Sequence, residues 1–386
     1  MTDAVLQSAV RRPQPARACY IMIGGFLGAG KTTAVVRLAQ RLTARGRRVG
    51  LITNDQGNDL VDTALLRVKG FATEEIPGGC FCCRFNSLVE AARKLTAATR
   101  PDMLIAEPVG SCTDLVATVT YPLRRLYGDN FTLAPLSVLV DPIRARRVFG
   151  LDAGGRFSDK VLYIYRKQLE EADCIVINKR DLLDDEQFAR LRDRLAEEFP
   201  DVEILGVSAR RGDGLEPWFA RIESGEARAR QAMAVDYDVY AEGEARLGWL
   251  NGTVELSAAG EFDGNATLRA LARRIQALLD AEHAEIAHLK MTLSPDEGLG
   301  DLAVVNLVRN DFVPELGLEL PGPIRGGQLI INCRAETAPE TLHAAVTRAL
   351  ADVGRAQPGL SLRLEHAEHF RPGRPQPTHR LASLAG

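Results

Sequence analysis

The sequence predicts an α/β fold, a doubly wound and mostly parallel sheet followed by a smaller α+β domain, and three observations lead there. A short apolar strand, Cys19 to Ile23, runs into the glycine-rich turn Gly24-Gly25-Phe26-Leu27-Gly28-Ala29-Gly30-Lys31-Thr32-Thr33. Behind it, short apolar runs alternate with segments whose apolar residues repeat at helical spacing, the pattern of strands crossed over by helices. From Glu223 to Glu244 the chain turns charged and alanine-rich, and beyond that strands dominate.

Composition narrows the function classes. A chain of 386 residues is long enough to bury two cores. A net charge of −3 offers no global attraction to nucleic acid or an anionic membrane, so neither is expected as a partner. No apolar run approaches the ~20 residues of a membrane span. The opening stretch carries Arg11 and Arg12 without an apolar core behind them, so residues 1–17 are expected to be a flexible tail rather than a secretory signal. Three of the seven cysteines fall within four positions, which argues for reduced thiols and a cytoplasmic setting.

Gly25 and Gly30, with Lys31 and Thr32 behind them, fill every fixed position of the P-loop pattern. A loop that wraps a polyphosphate with inward-pointing N–H groups leaves no room for side chains, so glycine recurs. Gly25, Gly28, Ala29, Gly30, Lys31, Thr32 and Thr33 are expected to cradle a nucleotide. Lys31 would neutralise the β- and γ-phosphates, Thr32 would ligate Mg2+, and the following helix would add its positive dipole end. Ala34, Val35, Leu38, Ala39 and Leu42 give that helix its buried face, and Gly46 suits its end. Arg48 to Thr53 reads as a buried strand entering Asn54-Asp55-Gln56-Gly57. The segment at this point commonly senses the γ-phosphate, which makes Asp55 a candidate metal ligand and catalytic residue; a self-capping polar turn is the alternative.

Next comes Gly78-Gly79-Cys80-Phe81-Cys82-Cys83. A C-x-C-C run arises by chance in roughly two chains in a thousand of this composition. Cys80, Cys82 and Cys83 form a soft, anionic donor set for Zn2+, Cu(I) or a similar ion. A closed structural zinc site takes four ligands, so three thiolates with an exchangeable fourth position suit a site that releases its metal. A redox-active thiol cluster is the alternative.

Leu88, Ala91, Ala92 and Leu95 mark another helix, and the strand Met103 to Ala106 delivers Glu107-Pro108-Val109-Gly110-Ser111-Cys112. A carboxylate at the C-terminal end of a buried strand opposite a P-loop is placed to hold Mg2+ or its water, so Glu107 is a candidate catalytic residue and metal ligand. Gly110 could follow the γ-phosphate through its N–H. Cys112 reads as a small buried hydrophobe, with an approach to the metal as the alternative. Strands at Leu136 to Val140 and Cys174 to Ile177 follow, the second delivering Asn178-Lys179-Arg180-Asp181. N-K-x-D on a strand end selects guanine: the Asp181 carboxylate accepts from N1–H and the exocyclic amine, Asn178 orients the loop, and Lys179 lies over the ring. Val202 to Val207 is one more strand, and Ser208 and Ala209 at its end fit a backbone contact to guanine O6.

The glycine-rich turn, Gly-Gly-Cys-Phe-Cys-Cys, Glu-Pro-Val-Gly and Asn-Lys-Arg-Asp, in that order, resemble the CobW-type metallochaperone GTPases, relatives of the nickel-inserting GTPases of urease and hydrogenase maturation. The resemblance covers about residues 18 to 220. It implies GTP hydrolysis, a transition metal at Cys80, Cys82 and Cys83, and delivery to a client metalloenzyme.

The organisation expected is a P-loop GTPase domain over 18–222, a linker over 223–245, an α+β domain over 246–370, and a basic, proline-rich tail over 371–386 for which disorder is the default. In the third part, strands are expected at Leu247 to Leu256, Ile286 to Leu293, Leu302 to Val308, Leu329 to Asn332 and Leu360 to Leu364. Helices are expected near Leu268 to Leu279 and Pro339 to Val353, with a ferredoxin-like arrangement as one candidate. All six histidines lie in this half, and no motif there identifies a reaction. The sequence is therefore read as a slow GTPase that uses GTP and Mg2+, binds Zn2+ or Co2+, and hands the metal to a client, with a GTP-dependent homodimer as a way to raise turnover. Two other readings stay open: an activator of a cobalt or corrinoid enzyme, and a non-catalytic GTP-switched zinc or redox sensor.

Overall fold

Strand β1 (Ala18–Gly25) is the axis of an eight-stranded sheet in the computed structural model, which describes residues 17–54, 70–128, 131–225, 231–298 and 300–383. Asp55 and the expected N-terminal tail lie outside the described residues, apart from Arg17. The sheet also contains β2 (Val49–Asn54), β3 (Ala72–Ile76), β4 (Met103–Glu107), β5 (Phe131–Leu133), β6 (Ser137–Val140), β7 (Cys174–Ile177) and β8 (Glu203–Gly206). Its order is β3-β2-β4-β1-β6-β7-β8, and every recorded pairing is parallel, as the sequence predicts. The short β5 shares an edge of β1 with β6, pairing at Ala18 while β6 pairs at Ile23.

Alternation along β1 builds two layers. Ile21 and Ile23 join Val35 and Leu38 of helix α1 (Lys31–Ala44) and Trp218 and Phe219 of a later helix, Leu215–Glu223. Tyr20 and Met22 join Phe85 and Leu88 of α2 (Phe85–Thr99) and Val161 and Tyr165 of the helix Asp159–Glu170. A two-residue period on a strand thus meets helices on both faces, which makes the sheet doubly wound. Between α2 and these, α3 (Tyr121–Tyr127) and α4 (Pro142–Val148) intervene; the helices Asp159–Glu170, Asp185–Glu198 and Leu215–Glu223 are α5, α6 and α7.

The expected linker is only partly a linker. Tyr237–Arg246 is helix α8, capped by the Asp236 carboxylate, which accepts from the N–H groups of Asp238 and Val239. Tyr240, Gly243 and Glu244 are buried. A Cβ on Gly243 would stand 2.4 Å from Lys160 O, so glycine allows α8 to lie directly on α5. The buried stripe is one tyrosine and one glycine deep, too sparse to register as a hydrophobic period.

The C-terminal sheet is antiparallel, built from β9 (Leu247–Phe262), β10 (Glu285–Pro295), β11 (Ala303–Leu307), β12 (Glu315–Leu318), β13 (Ile324–Glu336) and β14 (Leu360–Phe370). Its order is β12-β11-β10-β13-β9-β14. Helices α9 (Gly264–Ala281) and α10 (Pro339–Ala356) contribute Leu271, Ile275, Leu342 and Val346 to the core on one face. The four strands β10-β13-β9-β14 have the ferredoxin-like order, and β11 with β12 extends it past β10. The strands and helices expected in this domain all occur, most of them longer than the sequence pattern indicates, although β11 is shorter than the expected Leu302 to Val308; β3, β5 and β12 were not anticipated because they are short and carry few apolar positions. Leu247, Trp249 and Ala287 leave this domain's core and pack with the first domain's.

Glu244 gives the fold a pH signature. Burial pushes its carboxyl up to about 8. The folded chain therefore holds a proton that the unfolded chain has lost, and stability falls as pH rises from about 4.5 to about 8. Glu244→Gln should remove a fall of a few kcal/mol across that window, read by denaturant unfolding of metal-free protein at several pH values. An unchanged pH profile would contradict it.

Candidate functional site

A cavity of about 510 Å³ opens at the C-terminal ends of β1, β2, β4 and β7, where a doubly wound sheet places its ligand. The P-loop forms its floor. Gly25 and Gly30 have φ of 131° and 89°, and a Cβ on Gly25 would meet Leu139 O at 2.3 Å. Lys31 Nζ donates to Gly25 O at 2.9 Å, arching over the loop. Gly28, Gly30, Lys31, Thr32 and Thr33 line the cavity, whereas Gly25, Ala29 and Ser208 stand behind its wall.

Thr32 Oγ1 donates to Glu107 Oε1 at 3.0 Å. The hydroxyl from the start of α1 and the carboxylate from the end of β4 form a pair of hard oxygen donors facing the cavity, a set that fits Mg2+.

The N-K-x-D loop follows β7. Asn178 Nδ2 donates to Ala29 O at 2.8 Å, and Asn178 Oδ1 accepts from Ala209 N at 3.0 Å, so one amide ties the P-loop to the loop after β8. Lys179, at φ 53°, donates through Nζ to Gly28 O and to Asp141 Oδ2, both at 2.8 Å. Asp181 lines the cavity with Arg211 Nε at 3.6 Å. Ser208 Oγ accepts from Arg211 N at 3.2 Å, which shapes the turn that presents Ala209.

Asp141, the residue that follows β6, joins three parts of the molecule. Besides Lys179, it accepts from Arg309 Nη1 of the C-terminal domain at 3.1 Å and from Arg144 N at 2.9 Å. Burial alone would raise its pKa, but the charges of Lys179 and Arg309 outweigh it and hold the carboxyl well below the usual range. Arg144 reaches across to the carbonyls of Ile286, Ala287 and Val308. A Cβ on Gly28 would meet Val308 Cγ1 at 2.9 Å, so the P-loop itself abuts the second domain.

The cysteine motif lies in the turn between β3 and α2. Cys80 Sγ is 2.8 Å from Cys82 Sγ and 3.1 Å from Cys83 Sγ, and Cys82 and Cys83 are 3.7 Å apart. Among the described residues this is the one group of three or more His, Cys, Asp or Glu whose ligand atoms all lie within 4.8 Å. Sulfurs around a tetrahedral zinc stand ~3.8 Å apart given Zn–S bonds of ~2.3 Å. One pair already has that spacing, and the fit requires Cys80 to shift outward. Cys112 lies beside Cys80 and Cys82; the interaction with these thiols lowers its pKa to about 6 and pushes that of Cys82 well up. A hydrogen bond with Cys80 raises Cys83 to about 11. Cys112 is buried in the first domain's core, as its reading as a small hydrophobe expects, and also lies next to the cluster.

Two connections run from cluster to cavity. Asn54, at the end of β2, donates to Ile76 O at 2.9 Å and Gly79 O at 2.6 Å and lines the cavity. The loop 107–112 begins on Thr32 and ends beside Cys80, with Gln168 Nε2 donating to Gly110 O and Cys112 O at 2.9 Å each.

The C-terminal tail corrects another expectation. Residues 371–383 are irregular but tied down over the cluster: Gln376 N donates to Cys83 Sγ at 3.2 Å, and Thr378 N to Cys82 O at 2.9 Å. Arg380 Nε pairs with Asp114 at 2.8 Å, and the His379 ring meets Phe85 edge-on at 5.0 Å. Truncation after Phe370 should make Cys82 and Cys83 react severalfold faster with a thiol reagent under native conditions. Equal rates would show that the strap does not limit access.

The described part has no helix long and apolar enough to cross a membrane. The CobW/HypB/UreG nucleotide-binding domain family matches residues 19–205. A Sinorhizobium protein named zinc chaperone CobW is 31 % identical over 204 residues, 45 % of this chain and 54 % of its own. An Escherichia coli protein named zinc chaperone YeiR is 31 % identical over 163 residues, 42 % and 46 % of the two chains. The chain thus spans about half the length of the curated relatives it matches. The solved zinc-bound YjiA GTPase of E. coli aligns over 86 % of this chain and 99 % of its own, at 14 % identity and a TM-score of 0.38, too low to transfer anything about the site.

Proposed function

We propose that the protein, whose residues 19–205 match the CobW/HypB/UreG nucleotide-binding domain family, is a GTP-hydrolysing metallochaperone that binds Zn2+ at Cys80, Cys82 and Cys83 and transfers it to a client metalloenzyme according to its nucleotide state. The names of the curated relatives support zinc as the cargo. The observation that carries the reading is the loop 107–112, whose first residue accepts from the Thr32 hydroxyl and whose last lies beside two cluster thiols.

Lys31 and the P-loop N–H groups bind the phosphates, and Asp181 selects guanine with Asn178 and Lys179 holding the loops around the base. Thr32 and Glu107 would hold Mg2+, which when bound would supply charge neutralisation for the phosphates. Asp55 is proposed as a further ligand on the γ-phosphate side. When the terminal phosphate leaves, Glu107 loses part of what fixes it, and a shift of the short loop reaches Cys112 and the thiolates. Three thiolates with Cys112 in reserve suit a cargo that must leave, because the fourth position can exchange between Cys112 and a client's donor. A difference of ~1–3 kcal/mol in metal affinity between nucleotide states would change occupancy five- to 150-fold.

Competition for Zn2+ against a chromophoric chelator, with GDP or a non-hydrolysable GTP analogue bound, should give affinities that differ by at least fivefold. Equal affinities would reject coupled delivery. The C80S/C82S/C83S variant should keep guanine-nucleotide binding and lose zinc, whereas retained zinc would reject the cysteine site. Glu107→Gln should cut single-turnover GTP hydrolysis by about 100-fold and flatten the nucleotide dependence of zinc affinity.

A further inference from the structure

Strand alternation gives the C-terminal sheet two unlike faces. Leu289, Met291, Ile331 and Cys333 point into the core under α9 and α10. His288 and Lys290 on β10, Asn306 on β11, and Asn332 and Arg334 on β13 occupy the opposite face. They stand in register: Lys290 is paired with Asn306 on one side and Asn332 on the other, and His288 with Arg334. Antiparallel sheets commonly give such a polar face to water. Here all five residues line the nucleotide cavity, opposite the P-loop, and Lys290 and Arg334 are only 6 % and 3 % exposed.

The face is built rather than incidental. Arg334 donates to Leu250 O and Asn251 Oδ1 at 2.7 Å each, and its guanidinium lies 4.1 Å from the centroid of the buried Trp249 ring, which fixes its plane. His288 Nε2 is 3.2 Å from Asn306 Oδ1, and Asn332 Nδ2 donates to Asn251 Oδ1 at 3.0 Å. Across the whole cavity, six Lys or Arg side chains face three carboxylates, in a chain whose net charge is −3. Positive charge has been gathered inside a walled space, where its field is focused. The domain junction at Asp141, Arg144 and Arg309 holds this roof against the P-loop.

We propose that this face of the C-terminal sheet is the second half of the nucleotide site: Lys290 and Arg334 bind the polyphosphate of GTP from the side opposite the P-loop, with the Asn306 and Asn332 amides flanking them. The inference rests on the reading of the cavity as a GTP site and deepens it, because it gives the second domain a direct contact with the nucleotide. Hydrolysis is then felt by both domains at once, and no second subunit has to supply the extra positive charge.

The test is calorimetric titration of the full-length protein with GTP, GDP and guanosine. Lys290→Gln and Arg334→Lys are compared with the parent, and thermal melts establish that each variant is folded. Lys290→Gln should weaken GTP binding about tenfold or more and leave the much weaker guanosine binding unchanged. Arg334→Lys, which keeps the charge but loses the fixed guanidinium, should weaken GTP less than Lys290→Gln does. Affinities for GTP and GDP within twofold of the parent in a folded Lys290→Gln protein would overturn the proposal. So would an equal loss of guanosine and GTP binding, which would mark a structural effect. A parent protein that binds no guanine nucleotide would instead refute the GTP-site reading.

Discussion

One buried carboxylate holds the functional half of this molecule together. Asp141 takes a salt bridge from Lys179 at 2.8 Å and another from Arg309 at 3.1 Å while only 2 % of its side chain is exposed. An isolated carboxylate could not remain ionised there; two cations and the Arg144 N–H make it stable as a charge. Through Lys179 the same charge reaches Gly28 of the P-loop, and through Arg309 it reaches the C-terminal sheet. The N-K-x-D loop, the P-loop and the second domain are thereby referred to a single atom pair, and a movement of any one is resisted by the other two.

That junction explains why the cavity has two walls of different origin. A parallel sheet supplies loops at its C-terminal edge, which is a floor and sides but no roof. The roof comes from the face of an antiparallel sheet that its own helices leave uncovered. Gly28 makes the contact close enough, since a side chain there would collide with Val308. The cysteine cluster lies outside the cavity and is linked to it by Asn54 and by the loop 107–112. Their contacts are made through short side chains, the Asn54 amide on two backbone carbonyls and the Glu107 carboxylate on the Thr32 hydroxyl, so displacement at one end is carried to the other with little slack. The strap 376–381 closes the remaining side of the cluster and places His379 and Arg380 near it.

Much of this was legible in residue types alone. Gly25, Gly30, Lys31 and Thr32 fill the P-loop pattern, and Asn178 and Asp181 the N-K-x-D pattern, by residue type and spacing alone. The Thr32–Glu107 pair was expected as shared metal ligation and is found as a direct hydrogen bond. Cys112 was read as packing, since a lone cysteine carries no local sign of which sulfurs it faces. The tail was read as disordered because proline and arginine dominate it, although its order comes from partners almost three hundred positions earlier. Lys290 and Arg334 alternate with apolar neighbours, which in a strand pattern is indistinguishable from a solvated face.

The sequence by itself determined which local patterns are present: a strand and glycine turn that fill the P-loop pattern, an N-K-x-D loop, three thiols crowded into four positions, and the periodicities that make a doubly wound sheet beside an antiparallel one. Only the tertiary structure decided which of these groups share a space. Local patterns encode what a segment can bury or bind, whereas the meeting of Asp141 with Arg309 and of Lys290 with the cavity over the P-loop depends on how two finished cores dock. That docking is set by shape and charge summed over both surfaces, and no short stretch of chain carries the sum.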